Sequence, residues 1–439
     1  MDQKIKEQKE KREARRKRRI RAQVFAYINL IMLLAAMAVG IVYGVQYLTQ
    51  KSEQNSQQMQ QQVDDMLGTE ESLETPETQP ETEQVIELTP QQKLDEIVNA
   101  GIEVMPLEDK VAGLFIVTPE SITGVSTAVK AGDGTKQALT KYSVGGIIYN
   151  TKNIQNETQF KEMIDTTKLY SNYPLFIAVE DEGGSVSPLE EKRLVDKQKG
   201  AAELGEGNDA SEVHAVGEAI GTYLADYGFN LDFAPVADLN SVSKSIMAKR
   251  SYGSSADAVS PLVVAMMEGL KSQKINTCLK HFPGMGSTTQ NTDTGLATSD
   301  RSAEDFRANE FVVFQAGIDA GADMVMVSHM AAPSLAGDNT PSSMSSVIVT
   351  DILRNELGFD GVIITDAMNL KAISDYYSAD EAAVMALKAG CDMILMPEDF
   401  EKAYNGVLEA VQNGVISEER INDALRRVYR MKYADRVSE

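Results

Sequence analysis

The stretch GVIITDAMNLKAI (Gly361–Ile373) decides the fold. Val362, Ile363, Ile364 and Thr365 form an unbroken run of β-branched residues with no polar alternation. A run of that kind marks a strand buried on both faces, as in a parallel sheet covered by helices. It ends abruptly in Asp366, and an amphipathic stretch follows. The same form recurs at Gly113–Thr118, Val144–Asn150, Pro174–Asp181, Leu231–Asp238, Thr277–Phe282, Met324–His329 and Met393–Pro397. Segments of helical period lie between most of these runs: Ala215–Tyr227, Ala256–Ser272, Ala303–Ala320, Val347–Leu357 and Asp380–Ala389. Eight strand–helix units within residues 93–439 predict an α/β chain closed into a (β/α)8 TIM-type barrel. An open doubly wound sheet is the competing arrangement. The count of eight and the lack of a G-x-G-x-x-G turn disfavour it.

In such a barrel the C-terminal strand ends converge on one face, where sites are built. Here those ends carry Asn150, Glu180-Asp181-Glu182, Asp238, Lys280-His281, Ser328-His329 and Asp366. Each has a plain structural reading. Asp366 would cap a helix, His329 would bond a backbone group, Asp238 would brace a loop, and Glu180–Glu182 before Gly183-Gly184 would be a solvated turn. Together they point to a ligand site, because ionisable groups at buried strand ends cost stability unless they are paired or used.

Composition narrows the function. The chain has 439 residues, 42 Lys and Arg against 65 Asp and Glu, and a net charge of −23. That balance argues against nucleic acid as a partner. Two cysteines, Cys278 and Cys391, make no disulfide framework, and three histidines leave no material for a Cys/His metal centre. The sequence holds no metal cluster, no phosphate loop and no Ser-His-Asp chain, so no cofactor is implied.

The charge is unevenly spread. Residues 1–23 hold eleven Lys and Arg against four acids, a net of +7. An uncharged run from Val24 to Val45 follows, with Tyr27, Tyr43 and Tyr47 near its ends. This predicts a single transmembrane anchor over 24–48, with a basic cytoplasmic tail before it and the remaining chain outside the cell membrane. A cleaved signal peptide is the alternative, suggested by Ala36-Met37-Ala38; the apolar run continuing to Val45 opposes it. Residues 49–92, rich in Gln, Glu, Thr and Ser and without an aromatic residue, read as a disordered stalk.

The motifs carry a family resemblance. KHFPGMGSTT (Lys280–Thr289), VEDEGG (Val179–Gly184), DFAPVADLN (Asp232–Asn240), KRSYG (Lys249–Gly253), SHM (Ser328–Met330) and the opening stretch occur in the order seen in family 3 glycoside hydrolases. The likeness is strongest to the single-domain β-N-acetylglucosaminidase (β-hexosaminidase) branch. It implies a barrel fold and a carbohydrate substrate, with Asp366 as nucleophile of a retaining hydrolysis and Lys280, His281 and Arg250 on the sugar. Glu180, Asp238 and His329 join them as candidate substrate-binding residues. The resemblance also places Lys280 near enough to Asp366 to keep it ionised.

Five positions depart from that branch. The acid/base histidine is replaced by Asp293 and its orienting aspartate by Asn291. Met285 stands for a loop histidine, Ser185 for an arginine, and Glu180 for an aspartate. Two readings follow. In one, Asp293 is the acid/base, its pKa raised by burial or by Asp366. In the other, the dyad is lost and the barrel is a cell-wall glycan-binding or scaffold protein.

Overall fold

The structure, a computed structural model, describes residues 88–434. The predicted tail, the anchor and the stalk as far as residue 87 lie outside the described residues. Among the described residues, no helix is long and apolar enough to cross a membrane. Order begins inside the segment assigned to the stalk. Thr89 caps a helix over Pro90–Val104, its hydroxyl accepting the Gln92 N–H at 3.3 Å while the Gln92 side chain accepts the Thr89 N–H at 2.9 Å. Reciprocal capping of this kind satisfies two donors that a helix start otherwise leaves open.

Eight parallel strands close in sequence order: β1 (Phe115–Val117), β2 (Gly146–Ile148), β3 (Phe176–Val179), β4 (Leu231–Asp232), β5 (Asn276–Phe282), β6 (Met324–Val327), β7 (Val362–Ala367) and β8 (Met393–Leu395). The circle is completed where β1 pairs with β8, Ile116 opposite Leu395. Every predicted strand is present. β4 is cut short because Pro235 has no N–H for the ladder, yet the chain stays beside β5 through Cys278 N–H to the Ala234 carbonyl at 2.8 Å.

Successive residues of a strand face opposite ways, and two apolar layers result. Ile116, Ile148, Phe176, Leu231, Cys278, Met326 and Ile364 meet inside the barrel. Their neighbours, such as Val117, Ile177, Leu279 and Ile363, pack outward against the helices. Two helical expectations are modified. The segment Ala303–Ala320 is broken at Asn309 into Ala303–Ala308 and Glu310–Asp319. Residues Val347–Glu356 wind as a π-helix rather than an α-helix.

The N-terminal mouth of the barrel is plugged. From the last helix, Glu418–Tyr433, Val428 enters the inner cluster and Lys432 Nζ donates to the Gly145 carbonyl at 2.8 Å. Beside it the buried Asp392 carboxylate gathers Arg354 at 2.7 Å and Arg420 and Arg427 at 3.3 Å each. Among the described residues, the C-terminal mouth is the open end of the barrel.

Candidate active site

Three strand ends carry side chains to the open mouth. In β7, Val362 and Ile364 lie in the inner cluster, so Asp366, two residues on, faces the same side at the strand's end. It is 8% exposed, and its carboxylate accepts the N–H of Ala367 at 2.7 Å. In β5, Lys280 follows the inward Cys278; in β3, Glu180 follows the inward Phe176 and Ala178.

Lys280 has no solvent exposure. Its ammonium lies 2.7 Å from Glu182 and 3.3 Å from Glu180. Glu182 also takes a two-pronged grip from Arg250, Nε at 2.8 Å and one terminal nitrogen at 2.5 Å. Burial alone would raise the Glu182 carboxyl, but Lys280 and Arg250 bring it down to about 2. Burial likewise opposes charge on Lys280, and Glu180 and Glu182 outweigh it to hold its pKa above the usual lysine value. Among the described residues, the ion pairs of Lys280 go to Glu180 and Glu182. Glu182, placed at a strand end by the sequence but not among the candidate substrate-binding residues, is the hub. The turn that carries it depends on Gly183 and Gly184 at φ +67° and +61°, packed against the backbone of Lys199 and Gly200.

Asp238 is buried, and both of its carboxylate oxygens are committed to protein partners. One oxygen takes the Nδ1 of His281 at 2.7 Å and the His281 N–H at 3.2 Å, and the other takes the Met285 N–H at 2.5 Å. It therefore positions His281, placing the proton on Nδ1 and leaving Nε2 as the acceptor. His329 is corrected in the same sense. It is fully buried, and both ring nitrogens are occupied, Nδ1 by the Ser343 hydroxyl at 2.8 Å and Nε2 by the Ala367 carbonyl at 3.0 Å. Burial lowers its pKa, so the neutral ring donates from Nε2 to the carbonyl of Ala367, the residue whose own N–H donates to Asp366.

Glu180 borders a cleft of about 490 Å³ together with Asn150, Lys152 and the exposed Ser185. The loop carrying Asp293 is stapled to the segment after Asp366, since the Ala372 N–H donates to the Thr292 carbonyl at 3.1 Å. Asp293 itself is exposed. Its carboxylate accepts from the Asn291 amide at 3.2 Å, and its N–H donates to the Asn291 side-chain oxygen at 3.0 Å. The burial expected of it is therefore missing. Met285, at the other lost histidine, is buried.

Residues 106–431 match the family model described as glycosyl hydrolase family 3 N terminal domain. The chain belongs to glycosyl hydrolase family 3. Its relatives include a beta-hexosaminidase of Nitrosomonas eutropha, 31% identical over 264 residues that cover 59% of this chain and 75% of the relative. Another is beta-hexosaminidase A of Pseudoalteromonas piscicida, 27% identical over 324 residues; the match covers 67% of this chain but 54% of that longer protein. Among solved structures, a family 3 beta-N-acetylglucosaminidase from Paenibacillus sp. str. FPU-7 superposes with a TM-score of 0.72 at 32% identity, covering 76% of this chain and 63% of that one. A beta-N-acetylhexosaminidase from Beutenbergia cavernae gives 0.66 at 28% identity, covering 75% and 98%. Within this family 3 barrel, Asp366, Glu180, Lys280, Glu182, Arg250 and His281 gather at the open mouth. Asp238 and His329 stand behind them as supports, and Asp293 lies on the adjoining loop.

Proposed function

We propose that the barrel is a retaining β-N-acetylhexosaminidase acting on β-linked sugars of cell-wall type. The observation that carries this reading is the Glu180–Lys280–Glu182–Arg250 lattice set at the same mouth as Asp366. Such a lattice offers directional donors and acceptors to sugar hydroxyls while staying charge-balanced. Asp366 attacks the anomeric carbon as the bond to the leaving oxygen breaks, forming a glycosyl-enzyme that water then hydrolyses. Asp293 gives its proton to the leaving oxygen and later takes one from the water. The basic tail and the apolar run 24–48 support anchoring in the cell membrane with the barrel outside, a placement suited to wall glycans.

The exposure of Asp293 favours a second reading, a barrel that binds wall glycan without turning it over. Hydrolysis of an aryl N-acetyl-β-glucosaminide by the full chain, with Asp366→Asn as control, separates the two. Turnover that falls by about 10³-fold or more in the control supports the enzyme. Glycan binding without turnover in either protein supports the scaffold.

A further inference from the structure

The cleft beside Glu180 opens off the mouth on the side of β2 and β3, and the proposed hydrolysis leaves it unused. It measures about 490 Å³, within the roughly 300–1,000 Å³ of small-molecule sites, and Asn150, Thr151, Lys152, Ser185 and Glu191 line it with Glu180. One wall is the turn after β3. The Glu182 N–H donates to the Val186 carbonyl at 2.8 Å and the Val186 N–H to the Gly183 carbonyl at 3.2 Å, which leaves the exposed Ser185 at the tip. The resembled branch carries an arginine at that position, so the short serine is what makes the room. The other wall follows β2. There the Asn150 N–H donates to the Asn153 side-chain oxygen at 2.8 Å, and the Asn153 amide donates to Glu120 at 2.7 Å and to the Ala128 carbonyl at 2.9 Å. Walls tied in this way are set before a ligand arrives, so filling the cleft costs little ordering entropy.

Charge and topology decide what fits. Each charged group around the cleft has a partner: Lys152 has Glu120 at 3.5 Å, Glu191 the Thr151 hydroxyl at 2.9 Å, and Glu180 has Lys280 at 3.3 Å. An ion would have to break one of these pairs, whereas a neutral polyol adds hydrogen bonds to their remaining lone pairs and N–H groups. The strands close in sequence order, so β3 stands four places from β7, across the mouth. A sugar with its anomeric carbon at Asp366 on β7 turns the hydroxyls across its ring towards Glu180 and the cleft. The leaving group belongs to the other side. There the loop of Asp293 follows β5 and is tied to the segment after β7 through Thr292 and Ala372.

We infer that the cleft is a subsite for a second, uncharged sugar residue, linked through a hydroxyl at the non-reducing end of the sugar held at the mouth. Ser185 sets its size, and Lys152 offers it a donor. The bond broken is still the one at Asp366, and water adds across it as in the proposed hydrolysis. The product is a disaccharide instead of a single sugar, so the barrel cuts within a glycan chain as well as at its end. This inference rests on the retaining-hydrolase reading, and one arm of its test needs no turnover.

The full chain is given an aryl β-glycoside of di-N-acetylchitobiose, in which the aryl group takes the leaving-group side. The expected first products, read by mass spectrometry, are the aryl alcohol and the intact disaccharide. In parallel, calorimetry compares two non-hydrolysable aryl thioglycosides, one carrying a single N-acetylglucosamine and one carrying two. The second sugar is expected to tighten binding at least about 10-fold. Ser185→Leu, which fills the cleft, is expected to remove that gain while the one-sugar compound binds as before. Lys152→Ala, at an exposed position, is expected to remove part of the same gain. Release of single N-acetylglucosamine units from the non-reducing end with no disaccharide would overturn the proposal. So would a binding gain that is absent from the wild type, or that is unchanged in Ser185→Leu and Lys152→Ala. If no aryl glycoside is hydrolysed, the enzyme reading fails and the calorimetric pair still decides the subsite.

Discussion

Glu182 shows how a side chain can be visible at a strand end while its role at the centre of a site stays hidden. EDEGG reads as an acidic turn in water, and nothing in the local pattern says that its third member folds back between a lysine and an arginine distant in the chain. Asp366, Lys280 and Glu180 were legible because each ends an apolar run, so strand period fixes its side. Replacing Glu182 with Gln leaves two cations beside one carboxylate in a buried place. Breaking a buried pair in this way costs about 3–5 kcal/mol, and urea denaturation of Glu182→Gln should show a loss of that size together with a raised KM. The Asp293 assignment is tested differently. If Asp293 supplies the proton to the leaving oxygen, Asp293→Ala should cost about 10²-fold more in turnover with a poor leaving group than with an activated aryl one. Equal losses with both would leave Asp293 as a loop residue held by Asn291.

At the scale of elements, the strands were readable and the irregularities were not. A continuous apolar run has one stable use in a barrel, but a helical period does not distinguish i→i+4 from i→i+5 winding. Hence Val347–Glu356 reads as an α-helix and forms a π-helix. The break at Asn309 is likewise hidden, since apolar residues continue on both sides of it. The connection after β5 shows what such local geometry does for the site. Gly284, at φ +134°, lets the chain turn so that the Met285 N–H reaches Asp238. A Cβ at Gly284 would collide with Cγ of Glu310, a buried side chain already held by Arg301 at 2.7 Å and by the Ser241 hydroxyl at 2.5 Å. It has no room to yield. Gly284→Ala should therefore lose about 1–3 kcal/mol of stability by thermal melting and weaken sugar binding, because the turn that supports Asp238 and His281 moves with it.

For the whole barrel, the buried carboxylates set an unusual pH dependence of stability. Glu182 ionises in the folded state far below its unfolded value, so its contribution is present above about pH 4.5 and is lost as pH falls toward about 2. Asp181 has the opposite sign. Its folded pKa of about 7 lies above the unfolded value, so its contribution is complete below about pH 4 and drains away as pH rises to about 7. Asp232, raised by the same burial, adds to that fall. Lys432, pushed down to about 7 by burial at the plugged mouth, favours the fold only as pH climbs above neutrality, so it does not offset the loss below 7. The net charge of −23 acts in the same direction as Asp181, because self-repulsion grows as carboxylates ionise. The melting temperature should therefore peak near pH 4–5 and decline toward 7, and Asp181→Asn should flatten that decline while leaving the acid limb set by Glu182 in place. Scanning calorimetry of the two proteins across this interval checks both limbs at once: a wild-type curve that rises steadily from pH 4 to 7 would contradict the burial-raised carboxyls of Asp181 and Asp232.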